Sequence, residues 1–124
     1  MTLLLLLFAC QQAPQRPPVD PHVVSGWVVD ALEEVAVHAR DEPTSALDAM
    51  TRAHDLFDGD LEPALRARWS DKRVAQAEYR FARMQVTLVS RKPQAAAPIA
   101  RELAEALRDV LPPPDAVAVV VDDP

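Results

Sequence analysis

Ser70-Asp71-Lys72-Arg73-Val74-Ala75-Gln76-Ala77-Glu78-Tyr79-Arg80-Phe81-Ala82-Arg83-Met84-Gln85-Val86-Thr87-Leu88 is the stretch that decides the fold class. Val74, Ala77, Phe81, Met84 and Leu88 recur at alternating spacings of three and four. That rhythm keeps five apolar side chains on one face of an α-helix. Ser70 stands where its hydroxyl accepts from the free N–H groups of the first turn. Trp69 and Val74 bracket the cap as a hydrophobic staple.

The neighbouring stretches repeat the pattern. Upstream, Ala46, Met50, Ala53 and Phe57 form the inner line of a helix expected from about Thr44 to Asp58. Gly59 is expected to break it, and Asp60 to cap a short continuation carrying Leu61, Ala64, Leu65 and Trp69, with Pro63 in its first turn. Further upstream, Asp20 caps and Pro21 fits the first helical position, with Val19 and Val24 placed as a staple. Val24, Val28, Ala31 and Val35 continue that face, Trp27 and Leu32 widen it, and Asp41-Glu42-Pro43 ends it. Downstream, a helix starting near Ala96, with Pro98 in its opening turn, carries Ile99, Leu103, Ala106, Leu107 and Val110 until Pro112-Pro113-Pro114 stops it. The composition, with two glycines among 124 residues, suits helix throughout. Short connections make such helices antiparallel neighbours. The expected fold is all-α, an up-down bundle of about four helices over residues 20–111. The remaining 112–124 form an extended or disordered tail, since apolar Ala116 to Val121 has no strand to pair with.

Residues 1–9 read differently. Leu3 to Phe8 is an unbroken apolar run, far shorter than the ~20 residues of a membrane-spanning helix. It closes on Ala9 and then on Cys10, the single cysteine. This pattern resembles the signal peptide and lipobox of a bacterial lipoprotein, although no basic residue precedes the run. The resemblance implies cleavage after Ala9, acylation of Cys10 and a membrane as partner through that lipid. Gln11 after the cysteine then implies the outer membrane, with the folded part facing the periplasm. Two or three acyl chains hold a protein stably, at ~0.8 kcal/mol per buried CH₂. Residues 10–19, rich in proline and glutamine, are expected to be a solvated tether. A cytoplasmic chain with Cys10 as a buried thiol is the alternative, and a lone cysteine excludes an internal disulfide in either case.

Charge is divided. The chain carries −6 overall. Asp20 to Glu62 holds eleven acids against Arg40 and Arg52, a net −9, whereas Pro63 to Arg108 holds ten bases against four acids, a net +6. Basic helices packed on acidic ones account for this plainly. An acidic surface on the first two helices, open to cations or to an envelope protein with a basic surface, is the second reading. Nucleic acid is excluded as a partner by the acidic total and the expected location.

Residues able to carry chemistry are few. His54 and Asp58 are four apart, and Glu34 and His38 repeat that spacing on the preceding helix. Antiparallel packing about Pro43 would bring Glu34 within about one turn of His54. Glu34, His54, Asp58 and Glu62, with His38 in reserve, are therefore the candidate ligands for Zn²⁺ or iron. The same spacing also suits ordinary solvated pairs. Arg101-Glu102-Leu103-Ala104-Glu105 has the Arg-Glu-x-x-Glu form, on a helix whose water-facing side is expected to be Arg- and Glu-rich anyway. Met50 and Met84 lie on core stripes, the aromatics Trp27, Phe57, Trp69, Tyr79 and Phe81 are expected in the core rather than in a ligand cage, and no Cys-x-x-Cys-His is present for haem. Neither a nucleophile elbow nor a phosphate loop occurs, so the chain does not read as an enzyme.

Phe57-Asp58, Leu61-Glu62-Pro63-Ala64-Leu65, and Glu78 three residues before Phe81-Ala82 together resemble the extracytoplasmic helical region that accompanies bacterial high-affinity iron permeases. The likeness spans His54 to Val89, about a third of the chain. It implies Asp58, Glu62 and Glu78 as the acids to test, and a module beside a permease rather than a transporter. Two functions follow as expectations. One is a lipid-anchored, non-enzymatic binding or assembly module. The other is a periplasmic iron- or zinc-binding protein linked to metal uptake.

Overall fold

Asp20 and Pro21 start the first helix: the Asp20 carboxylate accepts from the His22 N–H at 2.9 Å, and α1 runs Pro21–His38. The computed structural model describes residues 19–114. Residues 1–18 and 115–124, with Cys10, nearly all of the tether and the Ala116 to Val121 tail, lie outside the described residues. Four residues after α1, Pro43 opens α2 (Pro43–Leu56). The chain then passes without a break through a π-helical segment, Phe57–Leu61, into the short α3 (Glu62–Arg66). Ser70 caps α4 (Asp71–Leu88) by accepting from the Arg73 N–H at 3.2 Å. A 3-10 turn, Pro93–Ala95, leads into α5 (Ala96–Val110).

The described chain is all-helical, and its four rods are α1, the continuous α2–π–α3 unit, α4 and α5. Each rod packs on the next, and α5 closes the ring against α1. That is the antiparallel up-down bundle the spacing predicts. The core is built from the expected stripes: Val24, Val28 and Val35 of α1, Phe57 and Leu65 of the second rod, Phe81 and Met84 of α4, and Leu103 and Leu107 of α5 are all essentially inaccessible. Each fully buried side chain of this size contributes about 1.5–3 kcal/mol. Ser25 is buried among them, its hydroxyl without a hydrogen-bond partner among the described residues. The ring is also tied at its ends. His22 Nδ1 lies 2.9 Å from the Pro112 carbonyl, and Pro113 packs beside Gly26.

Four expectations need correcting. Gly59 does not break the second helix. A glycine that ends a helix does so in the left-handed region, and Gly59 has no positive φ. The chain instead widens by one residue, the Glu62 N–H bonding back to the Phe57 carbonyl, which is the π pattern. Trp27 does not widen the core stripe, being 49% exposed beside Pro113 and Pro114. Tyr79, assigned with the core aromatics, is 64% exposed because it stands about 160° around α4 from Phe81. The Val19–Val24 staple is at most partial, since Val19 remains exposed. No helix among the described residues is long and apolar enough to cross a membrane.

Candidate metal centre

The second rod and α4 run antiparallel, and three polar side chains meet where their edges face each other. His54 stands in the last turn of α2, Asp58 four residues on in the π segment, and Glu78 near the middle of α4. His54 Nε2 lies 2.9 Å from Glu78 Oε2 and 3.3 Å from Asp58 Oδ2. One ligand atom from each of the three residues lies within 4.8 Å of the others. The backing is apolar. The His54 ring stacks at 4.8 Å on Phe81, which packs at 5.2 Å on Phe57, and both phenyl rings are buried. This wall fixes the imidazole plane and leaves Nε2 turned to the two carboxylates. The His54 and Glu78 side chains remain 36% and 35% exposed, so the group is a half-open niche.

Burial pushes the Glu78 carboxyl above its ordinary value of 4.5. The hydrogen bond and negative charge of Asp58 add to that rise, while His54 opposes it. A positive charge set among the three would relieve the crowding of two carboxylates, and a divalent cation supplies one. Ligands about 2.0–2.2 Å from a tetrahedral ion are about 3.4 Å apart. Both distances from Nε2, 2.9 and 3.3 Å, lie just below that value, and the three ligand atoms are all within 4.8 Å of one another.

The other expected ligands lie elsewhere. Glu34 is ion-paired with Arg52. Arg52 and His54 are two residues apart on one helix, about 200° around its axis, so a side chain reaching Arg52 faces away from His54. Glu62 accepts from Arg66 at 2.9 Å, and Arg66 also holds Asp71. His38 lies 3.9 Å from Glu42. In the Arg-Glu-x-x-Glu stretch, Glu102 lies 4.0 Å from Arg80 across the groove between α4 and α5. Met84 is fully buried and Met50 nearly so, as gap-filling side chains. Helical spacing alone misses Glu78, which is distant in sequence from His54, and only the permease resemblance points to it. The spatial signal is its place on the rim of the α4 core stripe, next to Ala77 and one turn from Phe81. Comparison with protein-family models, with curated proteins and with solved structures finds no match for this chain.

Proposed function

We propose that this bundle is a non-enzymatic binding module of the cell envelope, held there by an acylated Cys10, and that its ligand is a divalent transition-metal ion. The observation that carries the metal reading is the convergence of His54, Asp58 and Glu78 from two helices onto one niche. One imidazole and two carboxylates form a borderline-to-hard donor set that suits Fe²⁺, Zn²⁺ or Mn²⁺. Three protein ligands in a half-open niche leave coordination positions for water or for a receiving ligand, which fits a protein that takes up and hands on its ion. The envelope reading rests on Leu3 to Cys10 and on the resemblance of that run to a lipoprotein signal.

Titration of the full chain with Co²⁺, followed by its visible absorption, tests the site. The expected result is one ion per chain, with affinity lost at least about a hundredfold in His54→Ala. Glu62→Gln and Glu34→Gln should bind as the parent does, since both acids are engaged elsewhere. Equal binding by the parent and His54→Ala would overturn the metal reading. The intact mass of membrane-extracted protein tests the anchor separately, and an unprocessed, unlipidated chain would overturn the envelope reading alone.

A second reading has its own support. Asp30, Asp41, Asp48 and Asp55 are exposed on or between α1 and α2, with no ion pair or side-chain hydrogen bond among the described residues. Unneutralised carboxylates on the first two rods and their connection suit docking to a basic surface of an envelope protein. A steep loss of such binding with salt is the expected signature.

A further inference from the structure

α4 carries two apolar stripes, and the core uses only one of them. The second is Ala75, Tyr79, Ala82 and Val86, continued by Val89 at the C-terminal cap, at spacings of four, three, four and three. All five are exposed: Tyr79 by 64%, Val86 by 68% and Val89 by 71%. At about 100° per residue, these positions cluster roughly 140° from the centre of the buried stripe, on the outward side of the bundle. None of the five is polar except at the phenolic hydroxyl. Such a four-three repeat is the seam of a paired helix, and solvent is a poor occupant for it.

We propose that this face is the interface of a homodimer, α4 packing antiparallel on α4 of a second copy. The sequence of the stripe supports that occupant. In the register that sets Ala75 opposite Val86 of the second copy, Tyr79 falls opposite its Ala82. Twofold symmetry repeats both layers in reverse. Each of these four layers then joins one small and one large side chain, as interlocking helices require, and at either end Val89 comes level with the Lys72 stem. The rim is compatible as well. Arg83, whose guanidinium lies 6.0 Å from the Tyr79 ring, comes beside Gln76 of the second copy rather than beside another arginine. Shallow hollows line the stripe at Tyr79, Ala82, Arg83 and Val86 and give the opposing side chains places to seat. α4 is 18 residues long, about 27 Å, and a pair of this length buries about 1,000 Å² in all, the low end of specific interfaces. The dimer is accordingly weak and reversible, strengthened wherever chains share a surface.

Sedimentation equilibrium of the full chain carrying Cys10→Ser, from about 1 µM to about 500 µM, reads the association. The expected result is a monomer–dimer equilibrium weakened at least about tenfold by Tyr79→Glu with Val86→Glu, and unchanged by Val37→Glu on α1. These positions are all exposed, so folding, checked by circular dichroism, is retained. In the same background, oxidation of mixed Tyr79→Cys and Ala82→Cys chains should give a crosslinked pair faster than either gives with Val37→Cys. A chain that stays monomeric, a dimer that survives the double substitution, or crosslinking without preference would each overturn the proposal.

Discussion

Glu78→Gln should move metal binding and stability in opposite directions. The substitution removes a charge and keeps the shape and hydrogen-bonding reach of the side chain, so it isolates what ionisation of Glu78 does. In the metal-free protein, burial and the nearby Asp58 raise the Glu78 carboxyl above its ordinary 4.5, against the opposing pull of His54. A carboxyl raised on folding makes the folded state bind its proton more tightly than the unfolded state does. Its favourable contribution is complete below the unfolded value and is lost as pH rises through the folded one. The glutamine variant has no such loss. With chelator present, its stability relative to the parent should therefore be near zero at pH 4 and grow as pH rises from about 4.5 toward neutrality. The side chain is 35% exposed, which limits the plateau to a few tenths of a kcal/mol. Its affinity for Co²⁺ should fall at least about a hundredfold at pH 7, about 2.7 kcal/mol. Thermal melts across pH and the cobalt titration read the two effects. A stability difference that does not change with pH, or that grows in favour of the parent as pH rises, would refute the reasoning. It would mean that His54 holds the ionised Glu78 more strongly than burial and Asp58 oppose it.

Two further outcomes test the fold. Gly59→Ala should stabilise the protein by about 0.5–1 kcal/mol, because Gly59 has no positive φ and an added Cβ meets nothing within 4 Å; a thermal melt shifted downward would show that the π segment requires glycine. Ser25→Ala should raise stability by up to about 1 kcal/mol, since its buried hydroxyl has no partner among the described residues; urea unfolding checks the sign.

The parts of this fold that are legible in the sequence are those set by neighbours along the chain. Ser70 and Asp20 cap because a cap needs only the next three residues, and Val74 to Leu88 face inward because the 3.6-residue period places them together. What the sequence does not reveal depends on the other rods. Gly59 looks like a stop by composition, yet the packing of Phe57 and Leu61 on both sides of it, each fully buried, keeps the chain helical by widening one turn. Tyr79 looks like core because it is aromatic, and only its angle to Phe81 shows otherwise. The niche divides in the same way. His54 and Asp58 are linked by spacing on one rod. Glu78 joins them only through the pairing of two rods, and Glu34 is drawn off to Arg52 by a helical phase that an along-axis estimate does not contain.

The tie between His22 and the Pro112 carbonyl has a consequence for the order of the chain itself. It sets the first turn of α1 beside the end of α5, so the two ends of the folded region are separated by a distance that a few residues can bridge. A ring of rods joined there no longer depends on which rod comes first. Opening it instead at the exposed Ser90-Arg91-Lys92 connection would give a circularly permuted chain starting at α5, with the His54–Asp58–Glu78 niche carried intact on a single uninterrupted stretch.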